Sequence, residues 1–326
     1  MAPDPAPQGL SRMLITLALA VVYLAWGSTY LAIRIAIEDI PPFLMLSARF
    51  LIAGALLLAW SRWRRPKAPL PTVRQWRTAA LLGTAFFVAG NGGVAWAEQY
   101  VPTGTVALIV AVIPIFMVAL DRIVWKAGIT FRIGLGMAVG MAGVVGIVGI
   151  PSAEFPIWAA LVPVGAALAW AAGSLFSRRA DLPDDLALSV AMQLLVGGVA
   201  LLALGVSTGE LGRLNPSAVS TASLGAVLYL AVVGSVITFS LYSWLLKVAP
   251  TSLVGTYAFV NPVVAVGLGG LVLGETMTPL ALLAASLTLS GVAFIVTSSR
   301  RPTREVKRRP ILRIGPVAKP LAASNR

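Results

Sequence analysis

Long apolar runs fill this chain, and short polar or charged clusters separate them. A helix crossing the hydrocarbon core of a bilayer needs about 20 predominantly apolar residues. Ten runs approach that length: 14–36, 43–60, 78–98, 103–124, 132–150, 157–177, 186–207, 222–246, 252–273 and 279–298. The pattern predicts an all-α integral membrane protein with ten transmembrane helices. The run at 78–98 is interrupted by Asn91 and several glycines, and the run at 186–207 begins just after an acidic loop. The first run is too long for the apolar part of a signal peptide and lacks a small-residue cleavage pattern, so it is expected to remain as a span.

The runs repeat. Trp96, Val101-Pro102-Thr103, Pro114, Thr130 and Gly143 recur 148 residues later as Trp244, Ala249-Pro250-Thr251, Pro262, Thr278 and Gly291. Trp26, Gly54 and Leu57-Leu58 recur 144 residues later as Trp170, Gly198 and Leu201-Leu202. Each copy holds five spans. An odd number forces the second copy to enter the membrane upside down relative to the first. The expected units are residues 14–150 and 151–298, with a flexible tail at 1–13 and a basic tail at 299–326. Inverted repeats place a binding site at their interface near the bilayer midplane and let the halves rock around it.

Composition agrees with a membrane protein. Of 326 residues, 58% are hydrophobic and 11% charged, and mean hydropathy is +0.89. A soluble chain of this length could not bury so much apolar surface. There is no cysteine and no histidine, which removes disulfide and thiolate chemistry and the commonest metal ligand. Net charge is +13, and most basic residues lie at 62–77, 122–132, 178–179 and 300–326, all on one side of a ten-span arrangement. The other side carries Glu38, Asp39, Glu98, Glu154, Glu210 and Glu275. By the positive-inside rule both termini are cytoplasmic. The basic tail is expected to meet anionic lipid rather than nucleic acid.

Candidate chemistry is sparse and concentrated at mid-depth. Trp60, Trp63, Trp76, Trp125 and Trp158 lie near span ends, as an interfacial belt does. Trp26 and Trp170 sit mid-span, where a lipid-facing indole N–H would lack a partner. They face the interior, either lining a site or packing between helices. Trp26 and Tyr30 share a helix face, as do Trp170 and Ser174. Asn91, flanked by Gly90 and Gly92-Gly93, is the polar centre of span three. Asn261 precedes Pro262 in span nine, with Tyr257 one turn earlier. Each amide must find a partner, either a solute or a neighbouring helix. Pro114 and Pro262 are repeat equivalents at mid-span, acting as hinges or as static kinks. Arg49 lies about two turns into span two. It could snorkel, pair with Glu38 or Asp39, or anchor a substrate carboxylate. Gly136, Gly140 and Gly143 permit close helix packing, within one chain or between chains. No nucleophile–base set and no phosphate-binding loop is present, so no enzyme activity and no cofactor is expected.

Several segments resemble the EamA family of the drug/metabolite transporter superfamily. They are Trp26-Gly27-Ser28-Thr29-Tyr30, Pro41-Pro42 with Ala48-Arg49-Phe50, Gly90-Asn91-Gly92, Val101-Pro102-Thr103-Gly104, Tyr257-Ala258-Phe259-Val260-Asn261-Pro262 and Gly274-Glu275. The resemblance spans about residues 14–298. It implies two inverted five-helix repeats in the bacterial inner membrane. It also implies export of amino acids, metabolites or amphipathic drugs. In such proteins spans one, three, four, six, eight and nine surround a central cavity, which adds Phe239 of span eight to the candidates. Gly274-Glu275 is matched in the first repeat by Lys126-Ala127, a departure that leaves no paired role for the acid.

The combined expectation is a transporter of neutral or aromatic amino acids and related small metabolites. Its substrate-binding candidates are Trp26, Tyr30, Asn91, Trp170, Ser174, Phe239, Tyr257 and Asn261, and its hinge candidates Pro114 and Pro262. The alternative is a multidrug exporter of lipophilic compounds. The expected partners are the solute and the lipid bilayer, with a monomer preferred.

Overall fold

Helix starts in this protein follow local chemistry. In the computed structural model, residues 8–97, 100, 106, 109–148, 156–273 and 279–298 are described. Ten long helices run through them: α1 (Gln8–Ile37), α2 (Pro42–Arg64), α3 (Val73–Ala97), α4 (Ile113–Trp125), α5 (Phe131–Val148), α6 (Ile157–Ser177), α7 (Leu186–Ser207), α8 (Thr221–Val248), α9 (Tyr257–Leu273) and α10 (Pro279–Ser298). Five of them contain an apolar stretch long enough to cross a bilayer: Arg12–Ile37, Pro42–Arg64, Val73–Ala97, Leu186–Ser207 and Thr221–Val248.

Thr72 opens α3 with a capping box. Its hydroxyl accepts from the Gln75 backbone N–H at 3.2 Å, and the Gln75 side chain accepts from the Thr72 N–H at 3.0 Å. That cap starts the helix at Val73 rather than at residue 78, because the pattern of apolar residues marks the membrane-embedded part of a helix and not its polar first turns. The same reason extends α2 to Arg64 and starts α1 at Gln8, inside the stretch expected as a tail. Asp185 caps α7 by accepting from Ala187, and Ser61 at the end of α2 donates to it. Ser220 caps α8, and Asp39 accepts from both its N–H and its hydroxyl. Those Ser220 bonds, with a further one from Ser223, hold the half-buried Asp39 carboxyl below its usual range.

The N-terminus of α2 has a more unusual cap. Pro41-Pro42 supplies no N–H, and the next two, on Phe43 and Leu44, donate at 3.3 and 2.9 Å to Glu210, from the turn after α7. Glu210 is buried. A carboxylate at a helix N-terminus satisfies orphan donors and meets the positive end of the helix dipole. Glu210→Ala is expected to lower the melting temperature in detergent, reflecting a loss of about 1–3 kcal/mol. An unchanged melting curve would show that the cap contributes nothing.

Repeat-equivalent helices pack antiparallel, as an inverted repeat requires. In the α2–α7 pair, a Cβ added at Gly54 would lie 2.8 Å from Leu195 Cγ and 3.1 Å from its nitrogen. At the equivalent Gly198, it would lie 2.9 Å from Leu51 Cγ and 3.1 Å from its nitrogen. These two environments are related by a two-fold axis between the helices. In the α5–α10 pair, Gly143 faces Thr288 and Gly140 faces Gly291, again with the chains running in opposite directions. The glycine stripe of span five therefore packs within the chain. The remaining contacts obey the same exchange: α1 against α8 and α9, α6 against α3 and α4.

Outside, the molecule presents apolar side chains. Leu24, Leu161, Val199 and Leu283 each expose more than half of their surface. Such a belt fits lipid rather than water. The five tryptophans expected at span ends are all exposed there.

Candidate functional site

The site grows from a local irregularity shared by the two repeats. Residues Thr84–Gly92 of α3 and Leu230–Ile237 of α8 wind as π-helix, with wider turns than the α-helix around them. Short π segments recur at functional sites. Their extra residue leaves a main-chain carbonyl in need of a donor. Asn91 Nδ2 donates to Phe86 O at 2.9 Å, and Ser235 Oγ donates to Leu230 O at 3.1 Å. Both bonds reach back five residues, and the two pairs are 144 residues apart, the offset that relates Trp26 to Trp170.

The tryptophans dock on these segments. Trp26 Nε1 donates to Gly234 O at 3.0 Å. The Trp170 ring lies over Gly90, the equivalent residue, where an added Cβ would come within 3.0 Å of it. Trp170 Nε1 donates to the Tyr242 hydroxyl at 3.0 Å. Ring centroids of Trp26 lie 4.8 Å from Tyr257, 5.0 Å from Tyr242 and 5.7 Å from Trp170. Phe86 and Phe239 extend the cluster at 4.9 and 6.3 Å from Trp170. Most of these pairs are edge-to-face or tilted, the arrangement that ring quadrupoles favour.

Above the aromatic floor lies a cavity of about 140 Å³. A water takes roughly 10–15 Å³ by this measure, so the space suits a solute of about a dozen non-hydrogen atoms. Its wall includes Trp26, Thr29 and Ile33 of α1, Arg49 and Phe50 of α2, and Phe87, Gly90, Asn91 and Val94 of α3. Val106 and Ile113 contribute from span four, and Trp170, Ser235, Phe239, Tyr257 and Asn261 from α6, α8 and α9. These positions run from the middle of the helices toward the face bearing Asp39 and Glu210. Nearer the opposite, basic face, side-chain contacts link the helices. Tyr23 and Thr256 share a hydrogen bond at 2.5 Å. Thr251 donates to Asp121 at 3.0 Å and accepts from Arg178, and the Arg179 guanidinium lies 3.6 Å from the Trp125 ring centre.

Six of the sequence candidates therefore converge on one cavity: Trp26, Asn91, Trp170, Phe239, Tyr257 and Asn261. Ser174 does not. It is fully buried and absent from the cavity wall. Its hydroxyl donates to Trp170 O at 2.6 Å and pairs with the Tyr242 hydroxyl at 2.5 Å. The i,i+4 spacing placed it on the tryptophan's face, but behind the ring. It positions Tyr242 instead. The Tyr30 side chain, Glu98 and Glu275 lie outside the described residues, as do both expected tails beyond Gln8 and Ser298. Asp39 is engaged by Ser220 and Ser223, and the pairing with Arg49 considered from sequence is not formed.

Pro114 falls in the first turn of α4, where its missing N–H costs no helical bond. The interruption lies just before it, at Ala111–Val112. Pro262 lies inside α9, one helical stretch after a break at Gly255–Thr256. Both helices are thus broken on the N-terminal side of their proline, although not at equivalent residues.

Arg49 stands in the cavity wall and was weighed from sequence as a carboxylate anchor, but Tyr242, Phe50, Phe87 and Ser235 were not among the sequence candidates for the site. Tyr242 could have been found by its i,i+3 spacing from Phe239. The others carry no sequence signal without the packing. Among the described residues, no group of three or more carboxylates could hold a metal ion.

This chain is matched by the family model of the EamA-like transporters twice, over residues 13–149 and 157–297. It belongs to the EamA-like transporter family. A relative from Escherichia coli (strain K12), described as an uncharacterized inner membrane transporter YedA, is 36% identical over 85% of this chain and 89% of its own length. A Salmonella typhimurium protein described as a probable amino-acid metabolite efflux pump is 25% identical over 85% of this chain and 92% of its own. A crystal structure at 20% identity superposes with a TM-score of 0.72 over 88% of this chain, which fixes the fold. The EamA-like fold thus joins two five-helix repeats, and both contribute to the cavity wall. The protein is a membrane transporter of small molecules.

Proposed function

We propose that this protein exports neutral and aromatic amino acids and related small metabolites across the bacterial inner membrane. The observation that carries the reading is a cavity with an aromatic floor and few, separately placed polar groups. Aromatic faces suit an apolar side chain, and Asn91, Asn261 and Arg49 suit a polar backbone. The Salmonella relative's description points the same way. The inner membrane follows from the description of the Escherichia coli relative, and cytoplasmic termini follow from the charge asymmetry.

With that orientation the cavity lies nearer the outer face, and the Asp121–Thr251–Arg178 contacts link the helices on the cytoplasmic side. Alternating access is then a rocking of the two repeats around the Trp26–Trp170 floor, with Pro114 and Pro262 next to the breaks that absorb the motion.

Overproduction in a bacterial host tests the substrate class. Cells are expected to gain resistance to toxic aromatic amino-acid analogues. Resistance confined to lipophilic cations would replace this reading with that of a multidrug exporter.

A further inference from the structure

Arg49 is buried, with 5% of its surface exposed, and it stands in the cavity wall. Its Nε donates to Ser235 Oγ at 2.9 Å, and its guanidinium carbon lies 5.0 Å from the Phe50 ring centre. Ser235 uses its own proton on Leu230 O, so toward Arg49 it acts as an acceptor. The π-helical segment thereby fixes the rotation of the guanidinium. Nη2 reaches the Gly234 backbone, lying 2.9 Å from where a Cβ would stand. Among the described residues the ion pairs are Arg74–Asp181 and Arg213–Glu210, and neither involves Arg49.

A guanidinium carries five N–H donors and stays charged. Burying it without a counter-charge is costly, and fold stability alone does not explain retaining it. Asn261 also lines the cavity, and its side-chain oxygen is buried without a hydrogen-bond partner. One cavity wall therefore carries a cation without a counter-charge among the described residues, a side-chain amide and an aromatic floor. A carboxylate fits the first, an ammonium donor the second, and an apolar side chain the third.

We infer that Arg49 is the carboxylate-reading residue of the cavity, oriented by Ser235, and that the transported solute brings its counter-charge. The inference rests on the amino-acid reading above and narrows it to solutes with a free carboxylate.

Competition in proteoliposomes tests it. Labelled L-phenylalanine is the tracer. Unlabelled phenylalanine, phenylalaninamide and 2-phenylethylamine are the competitors. Wild-type protein is expected to prefer the acid over the amide and the amine by about tenfold to hundredfold, the range for losing a hydrogen bond to a charged group. Arg49→Gln is expected to erase that preference, and Arg49→Lys to keep part of it. Ser235→Ala, which leaves the guanidinium in place but unanchored, is expected to weaken the preference and serves if Arg49→Gln fails to insert.

A folded Arg49→Gln protein that still favours the acid by the wild-type factor overturns the assignment. Wild-type vesicles in which acid, amide and amine compete equally overturn it while leaving amino-acid transport standing. Vesicles that carry no phenylalanine but do carry 2-phenylethylamine overturn the amino-acid reading, and the inference with it.

Discussion

Trp26→Ala is expected to reduce transport by about thirtyfold or more, the loss typical of a buried aromatic anchor. Three functions of the residue converge. Its ring supplies part of the cavity floor, touches Tyr242, Tyr257 and Trp170, and hydrogen-bonds the π segment of α8 through Gly234 O. Removing it opens the floor and leaves that carbonyl without its donor. Trp26→Phe separates these effects, because it keeps an aromatic surface and loses only the N–H. It is expected to retain more transport than alanine. Flux of reconstituted protein, normalised to the amount inserted, is the measurement. By the two-fold relation Trp170→Ala should behave alike, since Trp170 occupies the same place over Gly90. Wild-type flux from both alanine variants would mean that the aromatic floor is only packing.

Gly291→Leu is expected to prevent assembly of the folded protein. At Gly291 an added Cβ would fall on the backbone of Gly140, 2.7 Å from its Cα and 2.7 Å from Gly136 O. Backbone cannot rotate away as a side chain can. The α5–α10 pair must separate along its length or the new side chain must leave the interface. In a membrane, helix association depends on van der Waals packing and close backbone approach rather than on exclusion of water. The cost is expected to exceed the roughly 1–3 kcal/mol of ordinary overpacking. The readout is loss of the monodisperse peak in size-exclusion chromatography of the detergent-solubilised protein. Gly165→Ala on α6, where an added Cβ meets nothing within 4 Å, is the matched control and should leave the peak unchanged. A monodisperse, thermally normal Gly291→Leu protein would show that the two helices are not in contact as described.

Much of this architecture is legible in the sequence because lipid imposes a simple rule. Every span must satisfy its own backbone and show apolar side chains outward. Apolar runs therefore locate helices: 157–177, 186–207 and 279–298 coincide with α6, α7 and α10. The caps at Thr72 and Glu210 lie beyond that rule, since one is polar and local and the other arrives from another helix. The repeat exposed Trp26 and Trp170 as a pair because both copies kept the residue.

The finer site was not legible for definite reasons. Leu230–Ile237 reads as ordinary apolar helix, and Asn91 with its glycines marks an interruption in Thr84–Gly92 without showing that the backbone there winds as π-helix. Ser235, the structural counterpart of Asn91, shows its role only through its bond to Leu230 O. Ser174 was misplaced because sharing a helix face with Trp170 does not say whether a group lies in front of the ring or behind it. Arg49 stayed ambiguous because sequence cannot show that Asp39 is taken by Ser220 and Ser223.

The account depends most directly on one claim: this protein alone carries amino acids through the cavity between its repeats. Efflux of labelled L-phenylalanine from proteoliposomes holding only the purified protein tests it, with empty liposomes and the Trp26→Ala protein alongside. The account predicts saturable efflux from wild-type vesicles and little from the variant. Efflux no faster than from empty liposomes, with or without an imposed pH gradient, would contradict it.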